Sequence, residues 1–297
     1  MKRGQRFPVF KTLAPKEQSE VLVEDRIAAM TIKKISILGG YGRTGNKDTV
    51  DRVDLAMGDV LSIVGPTGSG KTALINDIGL FASENTPSRR RILINDAAPS
   101  TEFLDDPSKN PIALITQHTS FLSDLPVHKF LDIHARIRHS ERLGSVVDDT
   151  LEFANQLTGE PIIVDSAMTE LSGGQSRALL IADAVIIGNS PIILLDEIEN
   201  AGINRAKALE LLRKYEKIFV FVTHDPHIAL LSGYRIVMKS GAMQDVITTG
   251  AEEKRVAETI DRIDQVMVNL REKIRGGDRL SEEELRVIME LASLVSI

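Results

Sequence analysis

The chain has 297 residues, enough for one large domain or two small ones with a sizeable core. Hydrophobic residues at 42% and charged residues at 26% are ordinary globular values. The net charge of −6 excludes a global basic field for nucleic acid, and the lack of cysteine excludes disulfides and thiolate-held metals.

Met1-Lys2-Arg3 is basic but no apolar segment follows, so no secretory leader is expected. No stretch reaches the roughly 18 uninterrupted apolar residues of a membrane span. The longest candidate, 178–195, is broken by Asp183, Asn189 and Pro191. The chain is expected to be soluble and cytoplasmic, with any membrane role requiring a partner.

In chain order, residues 1–30 read as an N-terminal extension, with breakers at Phe7-Pro8 and Ala14-Pro15 and a short helix allowed over 16–30. Residues 31–38 predict a strand, and a turn-rich loop from Gly39 to Asn46 follows. Val53, Leu55 and Met57 alternate as a second strand, and 60–64 is a short buried one. Helix is predicted over 73–80 and strands over 91–95 and 111–116, the last ending at Gln117.

Helical periodicity then takes over at 127–138 and 147–157. A helix is expected from about 176 to 187, and an apolar strand over 191–195 ends in Asp196-Glu197. A helix at 206–215 precedes a buried strand at 218–222, which leads into Thr223-His224-Asp225. A strand pair closes the region at 234–239 and 243–248. Alternating helices and all-apolar strands imply a mostly parallel sheet covered on both faces.

Gly65-Pro66-Thr67-Gly68-Ser69-Gly70-Lys71-Thr72 fits the phosphate-loop pattern, between a buried strand and a helix start. Backbone N–H groups and the helix dipole make such a turn an anion cradle. Lys71 is placed to reach the β- and γ-phosphates, and the Thr72 hydroxyl to ligate Mg²⁺. Ser172-Gly173-Gly174 before a helix is a second cradle of this kind.

Leu171-Ser172-Gly173-Gly174-Gln175, lying between the phosphate loop and Asp196-Glu197, resembles the signature motif of ATP-binding cassette (ABC) ATPases. The ordered set Lys71, Gln117, signature, Asp196-Glu197 and His224 extends the resemblance over about residues 31–250. It implies an α/β P-loop core with an antiparallel N-terminal β part and an inserted helical subdomain at 118–171. It implies Mg-ATP as ligand. Asp196 and Gln117 join Thr72 at the metal, Glu197 orients or deprotonates the attacking water, and His224 steadies it. Tyr41 stands where the family stacks an aromatic residue on adenine. In the family two cassettes pair head to tail, so the signature of one closes over the ATP of the other.

Two positions depart from the family pattern. Ile203 replaces the aspartate of the segment after Asp196-Glu197, and Asp183 stands where a second arginine is common. Arg89-Arg90-Arg91 reads as a solvated basic loop rather than a nucleic-acid patch.

Beyond residue 250, Val256, Ile260, Ile263, Met267, Leu270 and Ile274 form a heptad stripe that stops at Gly276-Gly277. Ser281 with Glu284 makes a capping box. Residues 251–297 are therefore expected to form a helical hairpin. The reading favoured is an ATP hydrolase serving as the ATP-binding subunit of a transporter, dimeric on ATP and joined to a membrane permease through the helical subdomain, peripheral at the inner face of the membrane. The alternative is a soluble ABC ATPase that remodels a protein or cofactor complex. No nucleic-acid partner is expected.

Overall fold

A computed structural model of the chain describes residues 32–138, 143–197 and 205–294. The expected helix at 16–30 and the altered position Ile203 lie outside these residues.

Among the described residues, nine strands fall into two sheets. A three-stranded antiparallel sheet has the order β2-β1-β4, from β1 (Lys34–Leu38), β2 (Arg52–Ala56) and β4 (Arg91–Ile94). The main sheet has the order β5-β6-β7-β3-β8-β9. Its members are β3 (Val60–Val64), β5 (Ile112–Ile115), β6 (Ile192–Asp196), β7 (Ile218–Val222), β8 (Tyr234–Lys239) and β9 (Ala242–Thr248). All neighbours in it are parallel except β8 and β9, which form an antiparallel pair with an irregular register at Val237/Met238.

β6 and β7 are buried at every position, which explains their unbroken apolar sequences, Ile-Ile-Leu-Leu-Asp and Ile-Phe-Val-Phe-Val. Successive side chains point to opposite faces and feed two cores. Ile192, Leu194, Ile218 and Val220 pack with Leu74, Ile75 and Ile78 of helix α1 (Lys71–Gly79), and with Ile35, Ile37 and Ile92 of the small sheet. Ile193, Leu195, Phe219 and Phe221 pack on the other side with Ala154 and Leu157 of α4 (Leu143–Leu157) and Ala178 and Leu179 of α5 (Gly173–Val185). The two cores thus clamp the phosphate-loop helix to one face and the signature helix to the other.

Short α2 (Thr101–Asp105) is capped by Ser100, which accepts the N–H of Glu102. Helix α3 (Val127–Arg138) joins α4 and α5 in the helical region after β5. The next two are α6 (Arg205–Leu212) and α7 (Pro226–Leu231). Helix α5 begins three residues before the predicted start. Ser172 caps it by accepting the N–H of Gln175, and Gln175 Oε1 accepts the N–H of Ser172, so the glycines form the first turn.

The tail is α8 (Ala251–Gly276) and α9 (Glu282–Leu294). Gly277 ends α8 in the left-handed region at φ 85°, and Ser281 exchanges bonds with Glu284 to start α9. Helix α8 packs on α7, and α9 folds back on α8. Within one chain Val256, Ile263, Met267 and Ile274 of the heptad stripe remain exposed. Helix α9 is half the length of α8 and cannot shield the whole stripe.

Candidate nucleotide site

The parallel strands all point their carboxyl ends at one edge, and the strand order β5-β6-β7-β3 places the predicted residues there side by side. Gln117 follows β5, Asp196 ends β6, His224 follows β7, and the phosphate loop follows β3. Two backbone bonds tie the last three together: Glu197 N–H donates to Val222 O at 3.0 Å, and Thr223 N–H donates to Ile63 O at 3.3 Å.

The phosphate loop turns through Gly65, Gly68 and Gly70 at φ 150°, 78° and 95°. A Cβ on Gly65 would lie 2.4 Å from Met238 O, and one on Gly70 would lie 2.7 Å from Gly241 Cα. Glycine is therefore required at both positions for shape as well as torsion. Helix α1 carries no acidic residue in its first turn and no side-chain cap, so its N-terminal N–H groups face the loop uncompensated. Lys71 is buried and arches back, donating to Gly65 O at 3.0 Å and Pro66 O at 3.2 Å. Ser69 Oγ is buried with no hydrogen-bond partner among the described residues. Pro66 and Thr67 are exposed at the tip of the turn.

A cleft of about 430 Å³ runs from this loop to Tyr41, lined also by Gly42, Lys71, Thr72 and Gly241. That volume suits a nucleotide-sized ligand. Tyr41 is 42% exposed at its far end, held by a bridge to Lys47. A basic anion cradle at one end and an aromatic face at the other fit a nucleoside triphosphate.

Asp196 is buried at the tip of β6, and Thr72 sits exposed in the first turn of α1. A carboxylate and a hydroxyl are the kind of oxygen ligands that suit Mg²⁺, which keeps several waters and phosphate oxygens as ligands. Among the described residues no group of three or more His, Asp or Glu is placed to hold a metal by itself. Glu197 adopts φ 51°, in the left-handed region, and its Oε1 lies 3.4 Å from His224 Nε2. Such a backbone is strained for a non-glycine residue, and strain of this kind gathers at reactive sites.

The signature and Gln117 are brought together elsewhere. A separate cleft of about 300 Å³ is lined by Gln117, Phe121, Gly173, Ser176 and Arg177. Arg177 donates to the Gln117 backbone oxygen at 2.7 Å, and Gln117 Nε2 lies 3.2 Å from His118 Nε2. Ser172 and Gly173 are exposed, Gly174 is half-buried, and Gln175 spends its amide on Pro161 O at 3.1 Å. None of the four signature residues lines the phosphate-loop cleft. The phosphate loop and the signature of one chain therefore line different clefts.

Arg90, expected in a solvated run, is instead fully buried in the wall of the nucleotide cleft, while Arg89 and Arg91 are exposed. Its only sequence signal is the acidic pair Asp48 and Asp77 far away in the chain, which no local pattern connects to it.

The family model for the ABC transporter matches residues 50–200. An uncharacterised ABC transporter ATP-binding protein of Methanocaldococcus jannaschii is 48% identical over 88% of this chain and all of its own length. A macrolide export ATP-binding/permease protein of Campylobacter jejuni is 29% identical over 71% of this chain, which spans only 33% of that longer protein. Among solved structures, an ATP-binding cassette in a dimeric post-hydrolysis state with ADP and Pi shares the fold. Its TM-score is 0.55 at 23% identity, over 73% of this chain and 99% of the other.

Proposed function

The chain belongs to the ABC transporter ATP-binding family, a family of ATP hydrolases, and on that premise we propose that it is the subunit that powers a transporter by hydrolysing Mg-ATP. The observation that carries the reading is the common edge of β6, β7 and β3: Asp196 ends β6 with Glu197 next, His224 follows β7 and lies 3.4 Å from Glu197, and the loop to Lys71 follows β3.

The N–H groups of the Gly65–Gly70 turn bind the phosphates, and Lys71 exchanges its two carbonyl partners for phosphate oxygens. Tyr41 stacks on adenine at the far end of the cleft. Thr72, Asp196 and Gln117 would hold Mg²⁺ there. Mg²⁺, when bound, would supply neutralising charge for the phosphoryl group being transferred. The Glu197 carboxylate accepts the proton of the attacking water, and His224, 3.4 Å from it, keeps it oriented. The separation of the signature from its own phosphate loop supports a head-to-tail pair, in which Ser172 and Gly173 close the partner's nucleotide. The subunit then works in the cytoplasm, with the helical subdomain docked on a membrane permease.

The test is Glu197→Gln. The amide keeps the shape but cannot take the proton, so hydrolysis should fall by about 10² or more. With Mg-ATP the variant should elute as a dimer and retain ATP, while Lys71→Ala should lose binding to immobilised ATP. Wild-type turnover in Glu197→Gln would move the base elsewhere, and undiminished retention of Lys71→Ala would sink the phosphate-loop assignment.

A further inference from the structure

Arg90 is the centre of a closed polar network. Its guanidinium grips Asp48 with two bonds of 2.9 Å, from Nε to Oδ2 and from Nη2 to Oδ1. Nη1 donates to Asp77 Oδ2 at 3.2 Å, and Nη2 also donates to Gly241 O at 2.8 Å. Both carboxylates have further donors: Asp48 accepts the N–H of Gly40 at 2.8 Å and of Met243 at 2.7 Å, and Asp77 accepts the Ser88 hydroxyl at 2.7 Å. The side chains of Arg90 and Asp48 are both 0% exposed. Burying such a pair costs desolvation that its Coulomb energy barely offsets, so stability alone is a poor reason for it.

What the network joins is more informative. Asp48 and Gly40 belong to the loop that carries Tyr41. Asp77 lies in α1, whose first turn is Lys71-Thr72. Gly241 sits in the β8–β9 turn, donates its N–H to Ser69 O at 2.8 Å, and packs its Cα against Gly70. One cation therefore holds the aromatic end and the phosphate end of the cleft at a set distance.

We propose that Arg90 is a positioning residue of the nucleotide cleft: it sets the span between Tyr41 and the phosphate loop, and with it the preference for an adenine nucleotide over a bare triphosphate chain. The inference rests on the nucleotide reading of this cleft.

The test compares dissociation constants of ATP and of inorganic triphosphate, both with Mg²⁺, for the full chain and for Tyr41→Ala, Arg90→Met and the double variant. Each single variant should weaken ATP by about tenfold, the worth of one aromatic stack, and leave triphosphate within about threefold. The double variant should bind ATP no more weakly than Arg90→Met, because both changes remove the same contact. Equal weakening of both ligands in Arg90→Met, or losses that multiply in the double variant, would overturn the proposal. If Arg90→Met does not fold, Asp48→Asn keeps the shape and removes the counter-charge. It should show the same ATP-selective loss, and an unchanged ATP affinity there overturns the idea. A wild-type chain that binds ATP no more tightly than triphosphate would defeat this inference alone, whereas one that binds neither would defeat the nucleotide reading as well.

Discussion

Lys71 and Lys217 are buried lysines at opposite ends of the parallel strands, and what surrounds them sets different roles. Lys71 faces an anion cradle and holds two loop carbonyls that a phosphate can replace. Lys217 precedes β7 and donates to Asn189 Oδ1 at 2.7 Å and Ser190 O at 3.1 Å, with no carboxylate in that set. Burial pushes its ammonium down from 10.5 to about 8. The unfolded chain keeps the ordinary value, so between those two pH values it holds a proton that the native state has released. Stability from this group therefore rises with pH through that window, and the burial penalty is full below it. Chemical denaturation of wild type and Lys217→Met from neutral to pH 10 should show wild type gaining on the variant as pH rises. A constant difference would mean the lysine is not desolvated.

At the scale of elements, the segment between β5 and α3 is where a partner is expected to meet the helical region. From sequence, Phe121, Leu122 and Leu125 form one apolar patch. The fold separates them. Phe121 packs edge-on against Phe130 at 5.2 Å between centroids, and Leu125 is half-buried with its carbonyl accepting the N–H of Met168. Leu122 alone stands out, 95% exposed. Leu122→Asp should therefore abolish stimulation of ATPase activity by the partner while leaving thermal stability and ATP affinity unchanged. Phe121→Asp should lower the melting temperature, since it puts a charge against a packed ring. A loss of stability in Leu122→Asp would show that this side chain is covered in solution.

For the whole molecule, the tail is attached to the catalytic edge rather than appended loosely. Glu253 in the first turn of α8 pairs with Arg235 on β8, and Arg235 lines a cleft of about 390 Å³ shared with His224 and Gly65. The same pairing holds the Glu253 carboxyl below its ordinary range. Helix α8 also covers α7, which Asp225 caps directly after His224. Yet every side chain assigned to the nucleotide lies before residue 250. Truncation after Gly250 should leave ATP binding intact but uncover α7, so light scattering should report a changed oligomeric state or lower solubility. A soluble, folded truncation that binds no ATP would assign the tail to the active site.

Wherever a motif is written in contiguous residues, its place in the fold was legible from the sequence. The phosphate loop, the signature and the Asp196-Glu197 strand end each lie within a few positions, and all-apolar strands bounded by turns identify a doubly covered parallel sheet. The heptad spacing and the Ser281–Glu284 box likewise delimit two tail helices. Tertiary structure decided what depends on residues far apart in the chain. Arg90 meets partners 42 and 151 positions away, so local composition reads it as surface, whereas the fold makes it a strut in the wall of the cleft. Gln117 and the signature come to share one cleft only because α5 packs beside the end of β5. The stripe on α8 shows the same limit from the other side: periodicity identifies which face is apolar, but how much of it α9 covers is set by the length and placement of a second helix.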